Sequence, residues 1–188
     1  MGRLGDIFCF TNGKSVEYNE NGRYVAHGSN GPVGRTDKSN AGAGSSVIGR
    51  VGEYCGSTAY LKEDGWVSDN AIIADTKSGH SDRYGYYLLE HLPLHDFAGG
   101  SAQPLLNQRT LRGIDVGEIP PLPVQRRIAD ILGALDDKIE LNRRMNETLE
   151  EMAQTLYRHW FVDFGPFQDR EFKDTKELGP IPEGWEVG

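Results

Sequence analysis

The chain has 188 residues, enough for one domain of ordinary size with an appendage, and 37% of them are hydrophobic, as in a soluble globular protein. The net charge of −8 argues against a protein that coats nucleic acid unaided, and two cysteines are too few for a disulfide framework. No apolar run approaches the ~18 residues that span a bilayer and no secretion signal is visible, so we expect a reduced, cytoplasmic protein without a membrane span.

Residues 1–119 are rich in glycine, short apolar runs and turn signals. The runs at 47–49 and 71–74 predict short strands. Residues 84–91 predict one short helix, which must end before Pro93 because proline cannot continue a helix. Short strands with one helix indicate an α+β domain built on a small mixed β-sheet.

A polar and locally basic segment of this domain suggests nucleic-acid contacts. Between residues 21 and 52 the chain carries four basic residues and a single acid, so the local balance is +3. Arg and Lys suit guanine, Asn and Gln suit adenine, and Ser suits either base. Taken singly, each such residue also suits an ordinary solvated loop. The predicted DNA-binding residues are Ser29, Asn30, Arg35, Lys38, Arg50 and Gln103.

A proline-rich connector at 119–123 marks an abrupt change in composition, because proline fixes φ and restricts the preceding residue. Beyond it, a heptad pattern is typical of a helix that packs lengthwise on another helix. A helix over residues 124–161 would be roughly 57 Å long at ~1.5 Å per residue. Steps of seven along this segment give Ile128, Leu135, Asn142, Leu149 and Leu156.

Two features of this helix have more than one interpretation. An amphipathic helix lying on its own domain would also show an apolar stripe, although this one is longer than a domain of about 120 residues can cover. Asn142 interrupts the stripe either as a solvent-facing break or as a buried polar residue that fixes the register of two helices.

Catalytic and metal-binding patterns are weak in this sequence. Asp163, Glu171 and Lys173 loosely resemble the set that holds Mg²⁺ in nucleases, but they follow the helix in a charged segment without strand character. His91 and His95 have the i,i+4 spacing of zinc ligands, yet a proline lies between them. We therefore predict no catalytic site, no metal site and no cofactor.

The helical segment carries a family resemblance. It resembles the conserved region of type I restriction–modification specificity (S) subunits. The resemblance rests on the Pro-Leu-Pro, Gln-Arg and Asp-Lys-Ile-Glu motifs between Pro120 and Asn142, and on Trp160-Phe161-Val162-Asp163-Phe164 after them. Looser matches follow the family's order through the N-terminal part, so the resemblance covers essentially the whole chain. These matches are Leu4-Gly5-Asp6-Ile7, Gly28-Ser29-Asn30-Gly31, Ile48-Gly49-Arg50, Ser68-Asp69-Asn70-Ala71 and Gly100-Ser101-Ala102-Gln103.

The resemblance implies a non-catalytic subunit that reads double-stranded DNA. Members of the family carry two target-recognition domains, each followed by a long helix, and the two helices pair antiparallel. Each domain reads one part of a split DNA sequence. The subunit binds methyltransferase (M) subunits, which carry S-adenosylmethionine and modify adenine, and restriction (R) subunits join through them.

This sequence contains one such repeat rather than two. We expect a target-recognition domain at 1–119, a connector with a spacer and dimerisation helix at 120–164, and a tail at 165–188 that resembles the lead-in to a following domain. An identical chain is the expected partner of the helix in an antiparallel coiled coil, with Asn142 near the two-fold axis. The tail from 181 to 188 is then expected to pair, as a strand, with the Leu4 to Ile7 segment of that partner. The alternative is a degenerate half-subunit that modulates such a complex through protein contacts without reading DNA.

Overall fold

The computed structural model describes residues 1–99, 104–175 and 179–186, and the chain divides into two compact units, residues 1–134 and 135–188. The strands of the described residues are β1 (Gly2–Arg3), β2 (Phe8–Asn12), β3 (Tyr24–Gly28), β4 (Gly31–Thr36), β5 (Ser46–Gly49), β6 (Thr58–Tyr60), β7 (Trp66–Val67), β8 (Ala71–Thr76), β9 (Asp115–Gly117), β10 (Phe172–Thr175) and β11 (Gly179–Pro182). The α-helices are α1 (Leu4–Ile7), α2 (Asp82–His91), α3 (Gln108–Gly113) and α4 (Leu122–Tyr157).

Two sheets form the body of the first unit. The four-stranded sheet has the order β2-β8-β5-β6 and is antiparallel throughout, while the three-stranded sheet β4-β3-β7 pairs β3 with β7 in parallel. The central strands β5 and β8 are buried over 46–49 and 71–74, which explains why they read as continuous apolar runs. Both predicted strands are therefore confirmed, as is the α+β class with mixed sheets.

The main core of this unit lies between the four-stranded sheet and helices α1, α2 and α3. Phe8 and Phe10 of β2 pack with ring centroids 5.6 Å apart, and Leu89 of α2 and Leu111 of α3 are almost fully buried beside them. The predicted helix at 84–91 is α2, which begins two residues earlier because the Ser81 hydroxyl accepts a hydrogen bond from the N–H of Tyr84 at 3.4 Å.

The long helix predicted from the heptad pattern is confirmed as α4. It has 36 residues and continues directly into a π-helical turn, Arg158–Val162. Its first turns belong to the first unit, where Gln125, Ala129 and Gly133 are buried. No helix of the described residues is long and apolar enough to cross a membrane.

The second unit corrects the expectation for the tail. Strands β10 and β11 pair antiparallel, with Lys173 opposite Ile181, and Ile181 is 3% exposed. The Trp185 ring then contacts the rings of Phe161, Phe164 and Phe167 in tilted or edge-to-face arrangements, with ring centroids 5.2 to 5.8 Å apart. The segment that the sequence suggested to be without strand character contains strand β10, and the Phe172 ring of this strand contacts the Phe164 ring at a centroid distance of 5.6 Å.

The expected receptor for the tail is also different. Leu4–Ile7 is the helical turn α1, whose Leu4 and Ile7 are fully buried in the main core. The neighbouring strand β1 already pairs with β9 of the same chain. Leu4–Ile7 therefore has no strand edge for a partner's tail, and the predicted exchange of a strand at this place is wrong.

Candidate nucleic-acid interface

The tip of the β3–β4 hairpin brings together two of the predicted DNA-binding residues. Ser29 and Asn30 form a two-residue turn between the paired glycines Gly28 and Gly31, and Gly31 has a φ of 82°, which glycine adopts without strain. The Ser29 hydroxyl donates to the carbonyl of Asn70 at 2.5 Å, while its own carbonyl accepts from the Ser57 hydroxyl. Asn30 remains exposed at the tip of a turn that is held from both sides.

Arg50 lies on the same surface. It follows β5, and its backbone N–H donates at 3.0 Å to the Asn70 carbonyl that also accepts from Ser29. The side chain is half-buried, and its Nε is enclosed without a hydrogen-bond partner among the described residues. Because Nε is enclosed, only the terminal part of the half-buried guanidinium could contact a planar acceptor such as a base edge.

The loop after Arg50 is held by several hydrogen bonds and presents an aromatic side chain. Gly56 donates to Gly49 at 2.8 Å, Cys55 donates to Gly52 at 3.0 Å, and the Nδ1 of His95 lies 3.0 Å from the carbonyl of Cys55. Tyr54 stands on this loop with 46% of its surface exposed. We call the group formed by Ser29, Asn30, Arg50, Tyr54, Ser57 and Asn70 the turn surface.

Arg35 and Lys38 lie at the other end of the hairpin. Because a strand rises ~3.3 Å per residue, Arg35 is roughly 13 Å along β4 from Gly31. Its Nε donates to the carbonyl of Gly22 at 2.7 Å and its Nη2 to that of Arg23 at 3.0 Å. The side chain therefore ties down the preceding loop, and its predicted role in reading bases stays a prediction.

Lys38 is exposed and lines a cleft of about 780 Å³ beside β4. Glu17 and Asp37 line the same cleft, and Asp37 accepts from the side-chain amide of Asn19 at 2.8 Å. Two carboxylates next to one ammonium make this end of the hairpin less attractive to phosphate than the turn surface. Gln103 lies outside the described residues.

Sequence reasoning missed Ser57 and Asn70, which fix the turn surface. Asn70 stands in a segment that resembles the specificity-subunit family, and this resemblance is the signal that could have identified it. Its contact with Ser29 joins residues 41 positions apart. No periodicity or local motif reports such a pairing, because it is created by the parallel pairing of β3 with β7, in which His27 lies beside Val67.

The apolar stripe of α4 is largely exposed in the single chain. Leu135, Leu149 and Leu156 expose 55%, 58% and 59% of their surface, Asn142 is exposed, and Ile128 is half-buried. Ile131, Ile139, Met145 and Met152 extend the exposed face. Contiguous apolar surface on this scale usually marks an interaction site.

The residues suspected of nuclease chemistry do not form a metal site. Arg158 lies 3.8 Å from the Asp163 carboxylate, and Lys173 stands in β10. The described residues contain no group of His, Cys, Asp and Glu that could hold a metal ion. His91 closes α2, whereas His95 lies in a separate 3₁₀ turn.

Comparison with known proteins defines the class. Residues 1–151 match a family model described as "Type I restriction modification DNA specificity domain". The match covers most of the chain, and the protein therefore belongs to this family of specificity-subunit domains.

Among curated relatives, the type I restriction enzyme MjaIX specificity subunit of Methanocaldococcus jannaschii is 40% identical over 116 residues, which is 59% of this chain and 27% of the relative. The type I restriction enzyme HindI specificity subunit of Haemophilus influenzae is 56% identical over 48 residues, 26% of this chain and 10% of that protein. The matched part is thus about a quarter of the first relative and a tenth of the second.

Solved structures show the same fold. The type I restriction–modification S subunit from M. genitalium superposes with a TM-score of 0.69 at 18% identity, covering 94% of this chain and 54% of that one. The HsdS subunit from Thermoanaerobacter tengcongensis gives 0.57 at 20% identity, with 85% and 44% covered. The chain spans about half the length of these subunits.

Proposed function

We propose that this chain is a non-catalytic DNA-recognition (specificity) subunit of a type I restriction–modification complex and reads one half of a bipartite target. The observation that carries the proposal is the turn surface. Ser29 and Asn30 come from one hairpin, Arg50 follows another strand, and hydrogen bonds to Asn70 and Ser57 hold them together. A fixed group of amide and guanidinium donors is what base edges in the major groove require.

The charge distribution supports binding within a complex rather than alone. Residues 121–188 carry nine Lys or Arg and fourteen Asp or Glu, a net of −5, while the basic balance is confined to residues 21–52. Phosphate contacts supply most of the affinity of a DNA-binding protein. We therefore expect methyltransferase (M) subunits to provide them, with restriction (R) subunits joining through the M subunits, in the cytoplasm.

The long helix is the proposed contact to those partners and to a second copy of the chain. An antiparallel coiled coil of two identical helices would bury its exposed apolar stripe. The helix with its π-helical turn runs from residue 122 to 162, and its midpoint is residue 142. Two Asn142 side chains would then meet at the two-fold axis and fix the register.

A binding selection tests the DNA-reading function. The chain is incubated with a randomised duplex pool, with and without the M subunit, and bound DNA is separated by gel shift and sequenced. One split, palindromic sequence should be enriched when M is present, because both halves are read by identical domains. A complex that forms but enriches no sequence would favour the alternative, a half-subunit that modulates the complex by protein contacts alone, for which the exposed stripe is the supporting observation.

A further inference from the structure

Gln125 is a large polar side chain buried at the start of α4, with 1% of its surface exposed. Its Oε1 accepts from the N–H of Ser81 at 3.0 Å. Its Nε2 donates to the carbonyl of Pro120 at 2.8 Å and lies 3.0 Å from Nδ1 of His80. One amide thus joins the proline connector, the first turns of α4 and the residues that begin α2.

The chemistry of these partners fixes the orientation of the amide. A backbone N–H only donates and a backbone carbonyl only accepts, so Oε1 must face Ser81 and Nε2 must face Pro120. The second N–H of Nε2 then points at Nδ1 of His80, which accepts when the ring carries its proton on Nε2. Each polar atom of the buried amide has a partner, as buried polar groups require.

A second contact lies two helical turns further along α4. Nη2 of Arg83 in α2 donates to the carbonyl of Gly133 at 3.2 Å. A Cβ at Gly133 would lie 2.5 Å from Cζ of Arg83, so the absence of a side chain lets the guanidinium cross the helix. Gln125, Ala129 and Gly133 follow at intervals of four, so they form one buried face of α4, and the two ends of this face contact residues at and just before the start of α2.

Helix α2 connects this face to the sheet that carries the turn surface. Tyr86 of α2 contacts Tyr60 of β6 at a centroid distance of 5.6 Å, and Leu89 is buried in the main core. Strand β6 pairs with β5, and Arg50 follows β5 directly. All of these residues belong to the first unit, so an unbroken set of packed contacts leads from Gln125 to the proposed base-reading residues.

We infer that Gln125 is a positioning residue for DNA reading. It ties the first turns of α4 to the residues that precede α2 in the recognition domain, and through them it would influence the separation at which the two half-sites of a split target are read. The inference rests on the proposed function for its consequence, whereas the hydrogen bonds that carry it are independent of DNA. Loss of Gln125 should relax the accepted spacing rather than the bases read.

The test compares two variants with one control in the full-length chain. Gln125→Leu keeps the approximate volume of the side chain but removes the acceptor for Ser81 and the donor to Pro120. Gly133→Ala displaces the Arg83 guanidinium while raising helix propensity, so it loosens the same face without weakening α4 itself. Gln154→Leu makes the first change at an exposed position of the same helix and serves as the control.

Two measurements decide the question. Amide hydrogen exchange on the isolated chain should become faster at Ser81 in Gln125→Leu by roughly tenfold, with the strands of both sheets unaffected. Gel shifts of the complex with M then use the selected duplex and versions whose spacer is one base pair shorter or longer. The preference of the wild type for one spacer length should fall by roughly tenfold in both variants, whereas Gln154→Leu should keep it.

The possible outcomes distinguish the inference about Gln125 from the proposed DNA-reading function on which it rests. Equal weakening at every spacer length, or unchanged exchange at Ser81, would mean that Gln125 has only a structural role and would overturn the inference. If Gln125→Leu does not fold, Gly133→Ala carries the same comparison alone. A wild-type complex that selects no sequence contradicts the DNA-reading function instead, and the spacer part of the inference falls with it.

Discussion

At the scale of single residues, the half-buried imidazole of His27 has a consequence for stability. Its Nδ1 is enclosed without a hydrogen-bond partner among the described residues, and burial lowers the pKa of the ring from its ordinary value of 6.5. Just below pH 6.5 the unfolded chain therefore binds a proton that the folded chain resists. The free energy of unfolding rises with pH through that window and loses this dependence above it.

Urea unfolding at about pH 7 and at about pH 5.5 measures this effect. We predict that the midpoint of the wild type falls at the lower pH, and that His27→Gln, which cannot be protonated, reduces the fall. His91→Gln is the control, since His91 is exposed at the end of α2. An identical fall in wild type and His27→Gln would show that other groups cause the pH dependence.

Arg50 lies on the turn surface and Arg35 lies away from it, so we predict that their alanine substitutions have different effects. Arg50→Ala should weaken binding of the complex to its target by ~1–3 kcal/mol and relax selection at one base position, because an arginine at the turn surface suits guanine. Arg35→Ala should instead lower the free energy of unfolding by about 1–3 kcal/mol, since the carbonyls of Gly22 and Arg23 lose their donors.

Selection from a degenerate target pool, paired with urea unfolding, distinguishes the two substitutions. Lys62→Ala removes the same charge at the end of β6 that lies away from Ser57, and it should change neither measurement. If Arg50→Ala leaves the selected sequence unchanged, Arg50 is not a base-reading residue.

At the scale of elements, prediction from sequence succeeded where a repeating pattern extends over several turns or a whole strand. The heptad indicated α4, and the apolar runs indicated β5 and β8, because both depend on burial along one element. The pairing of β10 with β11 was missed because these short strands show no apolar alternation, and the one ring contact from them among the described residues joins Phe172 to Phe164, outside both strands.

The candidate site shows the same limit. Ser29, Asn30, Arg35 and Lys38 are close in sequence, and their chemistry suggested one cluster. Strand β4 is extended, however, so it carries Arg35 and Lys38 away from the turn that holds Ser29 and Asn30. Residue chemistry was readable from the sequence, while the grouping depended on strand register and on the distant contacts to Asn70.

Two helical glycines give a prediction at this scale. A Cβ at Gly85 of α2 would lie 2.8 Å from Cζ of Phe8, which is fixed in the core, whereas a Cβ at Gly113 of α3 meets nothing within 4 Å. Gly85→Ala should therefore lower the free energy of unfolding by about 1–3 kcal/mol despite its better helix propensity. Gly113→Ala should be neutral or slightly stabilising. Urea unfolding checks both, and equal effects would contradict the packing of α2 on Phe8.

At the scale of the whole molecule, the proposed mechanism makes different structural demands on the turn surface and on the apolar stripe of α4. The turn surface needs rigidity, which its hydrogen bonds to Asn70 and Ser57 provide. The stripe of α4 needs a partner, because its leucines are more than half exposed in the single chain. The buried face formed by Gln125, Ala129 and Gly133 holds the first turns of α4 within the unit that carries the turn surface.

The assembly state of the isolated chain is the prediction that belongs to this scale. Sedimentation equilibrium at tens of micromolar should show a dimer, because the stripe is apolar over several turns. Leu149→Asp would bury an unpaired charge in the seam, which costs about 3–5 kcal/mol, and should give a monomer. Gln154→Asp adds the same charge at an exposed position off the stripe and should remain dimeric. A monomeric wild type would contradict the homodimer, and a Leu149→Asp variant with unchanged mass would place the contact elsewhere on the chain.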